Sequence, residues 1–230
     1  MINDKSVSGI LLIAGNSTRF NNNCNKNLEK INNVPIFLYS LRILEQNAYI
    51  DDIFLVVKES EKLAIESDLN SLQFSKKIHV IVGGISRQES VFNALKVSSS
   101  NFVVIHDGAR PMIKDEYINS SLLELPNYAG TTIAVKSKDT IKIADANNVV
   151  VETTQRQNTW IVQTPQCFDR KTLLDTHIKQ NGNPNITDDC MMLEREGYKI
   201  KLVEGDYTNI KITTKEDFNV IKELLSLNLN

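Results

Sequence analysis

Residues 9–20 read GILLIAGNSTRF, a short apolar run that ends in a loop of small residues and an arginine. An apolar run of this length is typical of a strand that is buried on both faces of a parallel sheet. Four more runs of the same kind, rich in β-branched residues, predict further strands. They lie at 53–57, 78–82, 102–105 and 131–135.

Segments with helical periodicity separate these runs. Residues 36–46 place Phe37 and Leu41 on one helical face, and residues 88–97 repeat the pattern. An alternation of strand and helix predicts βαβ units with right-handed crossovers. The predicted fold class is therefore α/β, a Rossmann-like and mostly parallel sheet flanked by helices. Ligands of such a sheet bind at the carboxyl ends of its strands.

The alternation is interrupted once, in the second half of the chain. Residues 140–144 and 149–154 read as two antiparallel strands joined by an Asn-Asn turn at 147–148. We therefore predict a protruding β arm at about 136–160. With a length of 230 residues, the chain is short enough to form a single domain, 1–230.

The composition excludes several classes of protein. Apolar residues make up 41% and charged residues 23% of the chain, as in ordinary globular proteins, and no apolar run has the length of a membrane span. The net charge of −2 gives no electrostatic footprint for nucleic acid. Cys24, Cys167 and Cys190 lack the spacing of a disulfide framework or a zinc site. Without an export signal, we expect a cytoplasmic protein that has neither membrane nor nucleic acid as a partner.

The loop after the first predicted strand carries Arg19, and Lys26 follows seven residues later. Backbone N–H groups of such a loop can surround a triphosphate while the two cations supply positive charge. The loop has a single glycine and matches neither a P-loop nor a dinucleotide fingerprint. A plain strand-to-helix turn is the alternative interpretation.

A second loop, GGISRQES at 83–90, also follows a predicted strand directly. Its glycines would let the backbone approach a base or a ribose, and Ser90 could form a hydrogen bond there. Alternatively, Ser86 caps the next helix and Glu89, three residues on, completes a capping box. Both interpretations stay open at this stage.

A third loop follows the predicted strand at 102–105 and reads HDGARP. Asp107, at the tip of the strand, is placed to hold a ribose hydroxyl or a hydrated Mg²⁺, and Arg110 can bind a phosphate through two parallel hydrogen bonds. His106 is interpreted as a partner for neighbouring backbone groups rather than as an acid or base.

Further polar motifs lie downstream, at 163–166 (QTPQ), 187–189 (TDD) and 209–213 (NIKIT). Lys211 stands between two isoleucines in a strand-like run, so its side chain faces either water or an anion. The TDD motif fits the start of a helix, with a capping residue and acids in the first turn.

Taken in order, these motifs resemble the 2-C-methyl-D-erythritol 4-phosphate cytidylyltransferase family of the nonmevalonate isoprenoid pathway, over about residues 9–225. The matching patterns are AGxxxRF, GGxxRxxSVxNAL, HDxARP, DTIK, QTPQ, TDD and NIKIT. The resemblance implies an enzyme that joins CMP from CTP to 2-C-methyl-D-erythritol 4-phosphate and releases pyrophosphate. It also implies Mg²⁺ or another divalent cation as cofactor. The implied assembly is a homodimer in which each arm lends an arginine to the neighbouring site.

The resemblance also assigns roles to individual residues. The catalytic cations would be Arg19 and Lys26 on the CTP phosphates and Arg156 and Lys211 on the acceptor phosphate. The residues lining the nucleotide would be Ala14, Gly15, Asn16, Ser17, Gly84, Ser90 and Asp107. The residues lining the acceptor would be Asp107, Arg110, Thr140, Thr164 and Thr187, with Asp107 also a metal ligand.

This chain departs from the family pattern at two places. Ser17 replaces a second glycine, and Asn25 and Asn27 replace the proline and glutamine that usually flank the lysine. We expect a reshaped phosphate loop and a less constrained segment around Lys26.

Two other functions compete with the one that the resemblance implies. The first is a CTP:ribitol-5-phosphate cytidylyltransferase, which the DTIK motif and Arg156 with Trp160 make less favoured. The second is a non-catalytic nucleotide-binding module on the same scaffold. The presence of all four cations argues against it, because charge is the catalytic resource in this reaction.

Overall fold

The computed structural model describes residues 2, 4–15, 20, 25–180 and 186–227. The strands within these ranges are β1 (Val7–Leu12), β2 (Lys30–Ile31), β3 (Val34–Pro35), β4 (Asp52–Val57), β5 (Lys77–Val82), β6 (Phe102–Asp107), β7 (Gly130–Lys136), β8 (Lys142–Ala144), β9 (Val150–Thr153), β10 (Trp160–Asp169) and β11 (Ile200–Glu204). The helices are α1 (Ile36–Gln46), α2 (Lys62–Asn70), α3 (Arg87–Val97), α4 (Asp115–Glu124), α5 (Arg170–Lys179), α6 (Asp189–Arg195) and α7 (Lys215–Leu227). Short 3₁₀ helices lie at Lys26–Leu28, Glu59–Glu61 and Arg156–Asn158.

Seven of the strands form one sheet, in the order β11-β7-β10-β6-β1-β4-β5. All neighbouring pairs in it are parallel except those of β10, which runs antiparallel to both β6 and β7. The predicted α/β class, with a mostly parallel sheet flanked by helices, is therefore confirmed. The five strands and two helices predicted from periodicity are all present.

The core lies on both faces of the sheet because alternate side chains of each strand point to opposite sides. Ile10 packs in the cluster that contains residues of α3 and α5, whereas Leu11 packs in the cluster that contains residues of α1 and α4. Both side chains are fully buried. The two layers of helices hold the carboxyl ends of β1 and β6 in place. None of the helices in the described ranges combines the length and apolar character needed to cross a bilayer.

The predicted arm is present as the antiparallel pair β8 and β9. Its turn places Asn148 at φ 64°, a left-handed conformation that asparagine adopts more readily than most residues. The carboxylate of Asp145 accepts hydrogen bonds from the backbone N–H groups of Asn147 and Val149, each at 2.9 Å. Every residue from 138 to 153 is exposed.

The segment 209–213 differs from its prediction, because it belongs to none of the strands that the structure describes. Its backbone bonds to the loop after β6 instead. The N–H of Ile212 donates to the carbonyl of Ala109 at 2.8 Å, and the carbonyl of Asn209 accepts from Nη1 of Arg110 at 2.8 Å. These contacts lay the segment across the carboxyl end of β6.

Candidate active site

The carboxyl ends of β1 and β6 form the crevice of the sheet. The chain proceeds from β1 to β4 and β5 on one side, and β6 pairs on the other side, so the strand order reverses at β1. Sheets of this type bind ligands at such a reversal. Asp107 is the last residue of β6 and pairs with Leu12, the last residue of β1. Its carboxylate therefore lies in the crevice.

Three cations surround the carboxylate of Asp107. We call the group of Asp107, Arg87, Arg110 and Lys211 the Asp107 cluster. Oδ2 of Asp107 lies 2.7 Å from Nζ of Lys211 and 3.9 Å from Nε of Arg110. Oδ1 lies 3.4 Å from Nε of Arg87. The predicted residues Asp107, Arg110 and Lys211 are thus brought together, whereas Arg87 had been given no role from the sequence.

The charge of this cluster keeps Asp107 ionised. Burial alone would raise the pKa of its carboxyl, but the charges of Arg87, Lys211 and Arg110 outweigh burial and hold the pKa well below its usual range. The cluster therefore combines one carboxylate with three cations, and it carries a net positive charge. Such a surplus at the mouth of a crevice suits an anionic ligand.

Thr164 and His106 fix the backbone that carries Asp107. The hydroxyl of Thr164 accepts a hydrogen bond from the N–H of Asp107 at 3.2 Å and lies 2.9 Å from Nδ1 of His106. Nε2 of His106 lies 3.1 Å from the carbonyl oxygen of Arg110, which can only accept, so this nitrogen carries the proton. The interpretation of His106 as a partner for backbone groups is confirmed. Burial lowers the pKa of its imidazole to about 4, which makes it neutral at pH 7.

His106 should make stability depend on pH in a defined window. Its pKa falls from 6.5 in the unfolded chain to about 4 in the folded one, so on acidification the unfolded chain binds the proton first. The contribution is complete above pH 6.5 and is lost as the pH falls towards 4, and its size is about 3 kcal/mol. We expect His106→Gln to flatten the decline of unfolding free energy over this window, measured by urea denaturation at a series of pH values. Parallel slopes for the variant and the wild type would contradict this account.

Lys26 begins a 3₁₀ helix that two buried asparagines hold against the end of β1. The side-chain amides of Asn25 and Asn27 donate to the carbonyl of Ile13 at 2.8 and 3.2 Å, and Asn25 also donates to Glu61 at 2.7 Å. The expectation of a less constrained segment is therefore wrong for these residues. Side-chain hydrogen bonds take over the restraint that a proline would have supplied. Asn16, Ser17, Arg19 and Cys24 lie outside the described residues.

The second loop has the Ser86 cap predicted for it, but Glu89 bonds one residue before the N–H that a complete capping box uses. The hydroxyl of Ser86 accepts from the N–H of Glu89 at 3.1 Å, and the Glu89 carboxylate accepts from the N–H of Ile85 at 2.8 Å. The hydroxyl of Ser90 accepts from the N–H of Gly84 at 3.1 Å. A side chain at Gly84 would clash, because its Cβ would lie 2.2 Å from Cγ of Glu89. Ser90 thus shapes the loop at the carboxyl end of β5.

In the part of the chain that the structure describes, three residues predicted for the acceptor side take no part in the hydrogen bonds and ion pairs of the Asp107 cluster. Thr140 and Arg156 are exposed on the arm. Thr187 is also exposed, and its hydroxyl contacts Sδ of Met191 at 3.6 Å. The cap of α6 is Asp188, whose Oδ1 accepts from the N–H of Met191 at 3.0 Å. The helix start predicted for the TDD motif is confirmed.

Asp107 does not fit the role of a metal ligand in this arrangement. Its two oxygens contact Arg87 and Lys211, so cations occupy the positions that a metal ion would need. In the part of the chain that the structure describes, no three His, Cys, Asp or Glu side chains are grouped so as to hold a metal ion.

Comparisons with known proteins identify the family of this chain. A family model described as 2-C-methyl-D-erythritol 4-phosphate cytidylyltransferase matches residues 7–226. A relative of that name from Caldanaerobacter subterraneus is 38% identical over 223 residues, which is 95% of this chain and 98% of the relative. Another from Fusobacterium nucleatum is 40% identical over 222 residues, with 95% and 96% covered.

A solved structure with the fold of this chain supports the same family. The crystal structure of 4-diphosphocytidyl-2C-methyl-D-erythritol synthase from Anaerococcus prevotii is similar to this chain with a TM-score of 0.86 and 29% identity. The similarity covers 96% of both chains.

Proposed function

This chain belongs to the 2-C-methyl-D-erythritol 4-phosphate cytidylyltransferase family, and we propose on that premise how its residues carry out the reaction. It is a CTP-dependent cytidylyltransferase of isoprenoid precursor biosynthesis. It joins CMP to 2-C-methyl-D-erythritol 4-phosphate and releases pyrophosphate. The names of the relatives favour neither a ribitol phosphate enzyme nor a non-catalytic module.

The chemistry needs charge and alignment rather than a general base. The nucleophile is an oxygen of the acceptor phosphate, which is mostly dianionic at neutral pH because its second pKa is about 6. A bond forms between this oxygen and the α-phosphorus of CTP, and the bond to the leaving pyrophosphate breaks. Two anions must therefore be held in line while negative charge accumulates on the leaving group. Cations at fixed positions supply both effects.

Lys211 is the residue that the geometry supports best as the ligand of the acceptor phosphate. Its ammonium carries three protons, and the contact with Asp107 at 2.7 Å uses one of them. The side chain is 36% exposed, which leaves the remaining protons accessible to a ligand. Arg110, held through Asn209, stands beside it. The proposed acceptor site consists of these two cations, with Thr164 behind them.

The CTP side is proposed to use the loop after β1. Lys26 is held next to Ile13 by Asn25 and Asn27, so it stands at the carboxyl end of β1. Together with Arg19 it would neutralise the phosphates of CTP as pyrophosphate leaves. The nucleoside would lie along Ala14, Gly15, Asn16, Ser17, Gly84 and Ser90. Thr140 and Thr187 are proposed to line the acceptor.

The arm is proposed to join two copies of the chain, so that Arg156 completes the site of the partner. The apolar side chains along the arm and at the adjoining start of β10 are exposed, although such side chains are seldom left together in water. They are Ile141, Ile143, Val149, Val150, Val151, Ile161 and Val162. A homodimer would cover them and carry the exposed Arg156 to a neighbouring crevice.

The observation that carries this proposal is the Asp107–Lys211 ion pair at the strand reversal. We expect purified protein with CTP and Mg²⁺ to release pyrophosphate with 2-C-methyl-D-erythritol 4-phosphate at a kcat/KM at least about a hundredfold above that with ribitol 5-phosphate. A parallel reaction with EDTA tests the proposed divalent cation, and activity should be lost. Equal rates with both acceptors would overturn the choice of acceptor. CTP binding by calorimetry without turnover would overturn the proposed enzyme.

The cysteines bear on the cellular location of the enzyme. Cys167 and Cys190 are buried free thiols, and burial raises the pKa of Cys167 to about 12. Such thiols are inert at neutral pH because the reactive thiolate is absent. They are consistent with the cytoplasmic location that we propose.

A further inference from the structure

A line of hydrogen bonds and ion pairs runs from the interior of the protein to the Asp107 cluster. Nε2 of His177 lies 3.1 Å from Oδ1 of Asp189, and Oδ2 of Asp189 accepts from Nη1 of Arg87 at 2.6 Å. Nε of Arg87 in turn lies 3.4 Å from Oδ1 of Asp107. The other oxygen of Asp107 faces Lys211. Arg87 is thus the link between a buried carboxylate and the carboxylate in the crevice.

Arg87 and its buried partner Asp189 both lie at helix starts. Arg87 is the first residue of α3 and Asp189 is the first residue of α6, so both backbones are fixed by capped helices. Asp189 is fully buried, and His177 is 4% exposed with its ring stacked near that of Phe92. Arg87 consequently has one preferred direction, which is set from the interior.

Arg87 decides which oxygen of Asp107 faces the crevice. A carboxylate on a strand tip can rotate about its side-chain bonds, and each rotation would move the partner of Oδ2. With Oδ1 held by Arg87, Oδ2 is directed to Lys211 and towards Arg110. The ammonium of Lys211 would otherwise follow the carboxylate. A shift of even 1 Å in a group that aligns a substrate can cost a large factor in rate.

We propose that Arg87 is a positioning residue for the acceptor phosphate, acting through Asp107 and Lys211, with Asp189 and His177 fixing its orientation. This inference rests on the proposed role of Lys211. It predicts that loss of Arg87 weakens the binding of the acceptor much more than the binding of CTP. A purely structural ion pair would change stability and leave both KM values as they are.

The test uses a variant that keeps the interior neutral. Arg87→Gln alone would leave Asp189 buried without its cation, which can prevent folding. The double variant Arg87→Gln/Asp189→Asn removes both charges, with an isosteric change at Asp189 and a shorter polar side chain at position 87. We expect it to raise the KM for 2-C-methyl-D-erythritol 4-phosphate at least about tenfold, with the KM for CTP within about twofold of wild type. The KM of Arg87→Lys for this acceptor should fall between those of the wild type and the double variant, because an ammonium cannot bridge two carboxylates as a guanidinium does.

Arg170→Gln is the matched control. Arg170 is also the first residue of a helix, and it donates to the carbonyls of Ser100 and Leu95 at 2.8 and 3.3 Å, near the opposite end of β6. Its loss should lower the melting temperature and leave both KM values unchanged. The same pattern in the Arg87 double variant would overturn the proposal.

A double-mutant cycle separates this proposal from the function on which it rests. If Arg87 acts through Lys211, the Arg87→Gln/Asp189→Asn change should raise the KM for 2-C-methyl-D-erythritol 4-phosphate by less than about twofold in a Lys211→Ala background. Fully additive losses would overturn the proposal while leaving the role of Lys211 intact. Wild-type kinetics in Lys211→Ala alone would instead show that the role of Lys211 is wrong. Absence of turnover in the wild type would refute the function itself.

Discussion

Lys211→Ala should lower kcat/KM for 2-C-methyl-D-erythritol 4-phosphate by at least about a hundredfold, equivalent to about 3 kcal/mol of transition-state stabilisation. The ammonium is the cation closest to the carboxylate of Asp107, at 2.7 Å, and it is partly exposed in the crevice. The ammonium stabilises the acceptor phosphate most as it approaches CTP, because the repulsion between the two anions is greatest there. The measurement is pyrophosphate release at saturating CTP over a range of acceptor concentrations.

A lysine elsewhere on the same sheet provides the control. Lys201 lies in β11, separated from β6 by β7 and β10, and its ammonium stands 5.7 Å from the ring centroid of Tyr128. Lys201→Ala removes a charge of the same kind and should keep wild-type kinetics. Lys211→Ala must also keep the wild-type circular dichroism spectrum. If it turned over like the wild type, the cluster would have no part in binding the acceptor.

The fold could be predicted from the sequence largely because its strands are buried on both faces. Such strands read as continuous apolar runs, and 53–57 and 78–82 stand out from the helices between them. The run at 209–213 shows the limit of this reasoning. It has the composition of a strand, but its N–H and carbonyl groups bond to Ala109 and Arg110 at the strand ends. That competition depends on tertiary structure, which local periodicity does not contain.

The candidate site was predicted in part. The loops after β1, β5 and β6 were identified, and Asp107, Arg110 and Lys211 do meet although 104 positions separate Asp107 from Lys211. Arg87 and Asp189 were missed. Each fits an ordinary helix start, and only the structure reveals that Arg87 spans from Asp189 to Asp107. A charged residue in the first turn of each of two helices was the available signal.

The segment around Lys26 was misjudged for a related reason. Asparagine was read as a flexible replacement for proline, which is correct for backbone entropy alone. Asn25 and Asn27 are buried, however, and their amides bond to the carbonyl of Ile13. Restraint by side-chain hydrogen bonds replaces restraint by a ring, and a single sequence does not say which partner those amides will find.

The arm leads to the prediction with the clearest outcome, which is that two inactive variants regain activity when they are mixed. Lys26→Ala removes a cation from the crevice of its own chain, whereas Arg156→Ala removes one that we assign to the crevice of the partner. In a mixed dimer one site then holds both lesions and the other holds neither. With random exchange half of the dimers are mixed and each has one intact site, so about a quarter of wild-type activity should return.

The control mixture combines Lys26→Ala with Lys211→Ala, whose lesions both lie in the crevice of the chain that carries them. Every crevice in that mixture carries one lesion, because neither residue is shared between chains, and no activity should return. The subunits are co-refolded or exchanged under dilution, and pyrophosphate release is followed against the fraction of each variant. Activity in proportion to the product of the two fractions indicates a shared site. If the Lys26→Ala and Arg156→Ala mixture stayed inactive while mixed dimers were detected by native mass spectrometry, Arg156 would serve its own chain or none. The exposed apolar side chains of the arm would then need another explanation than a shared active site.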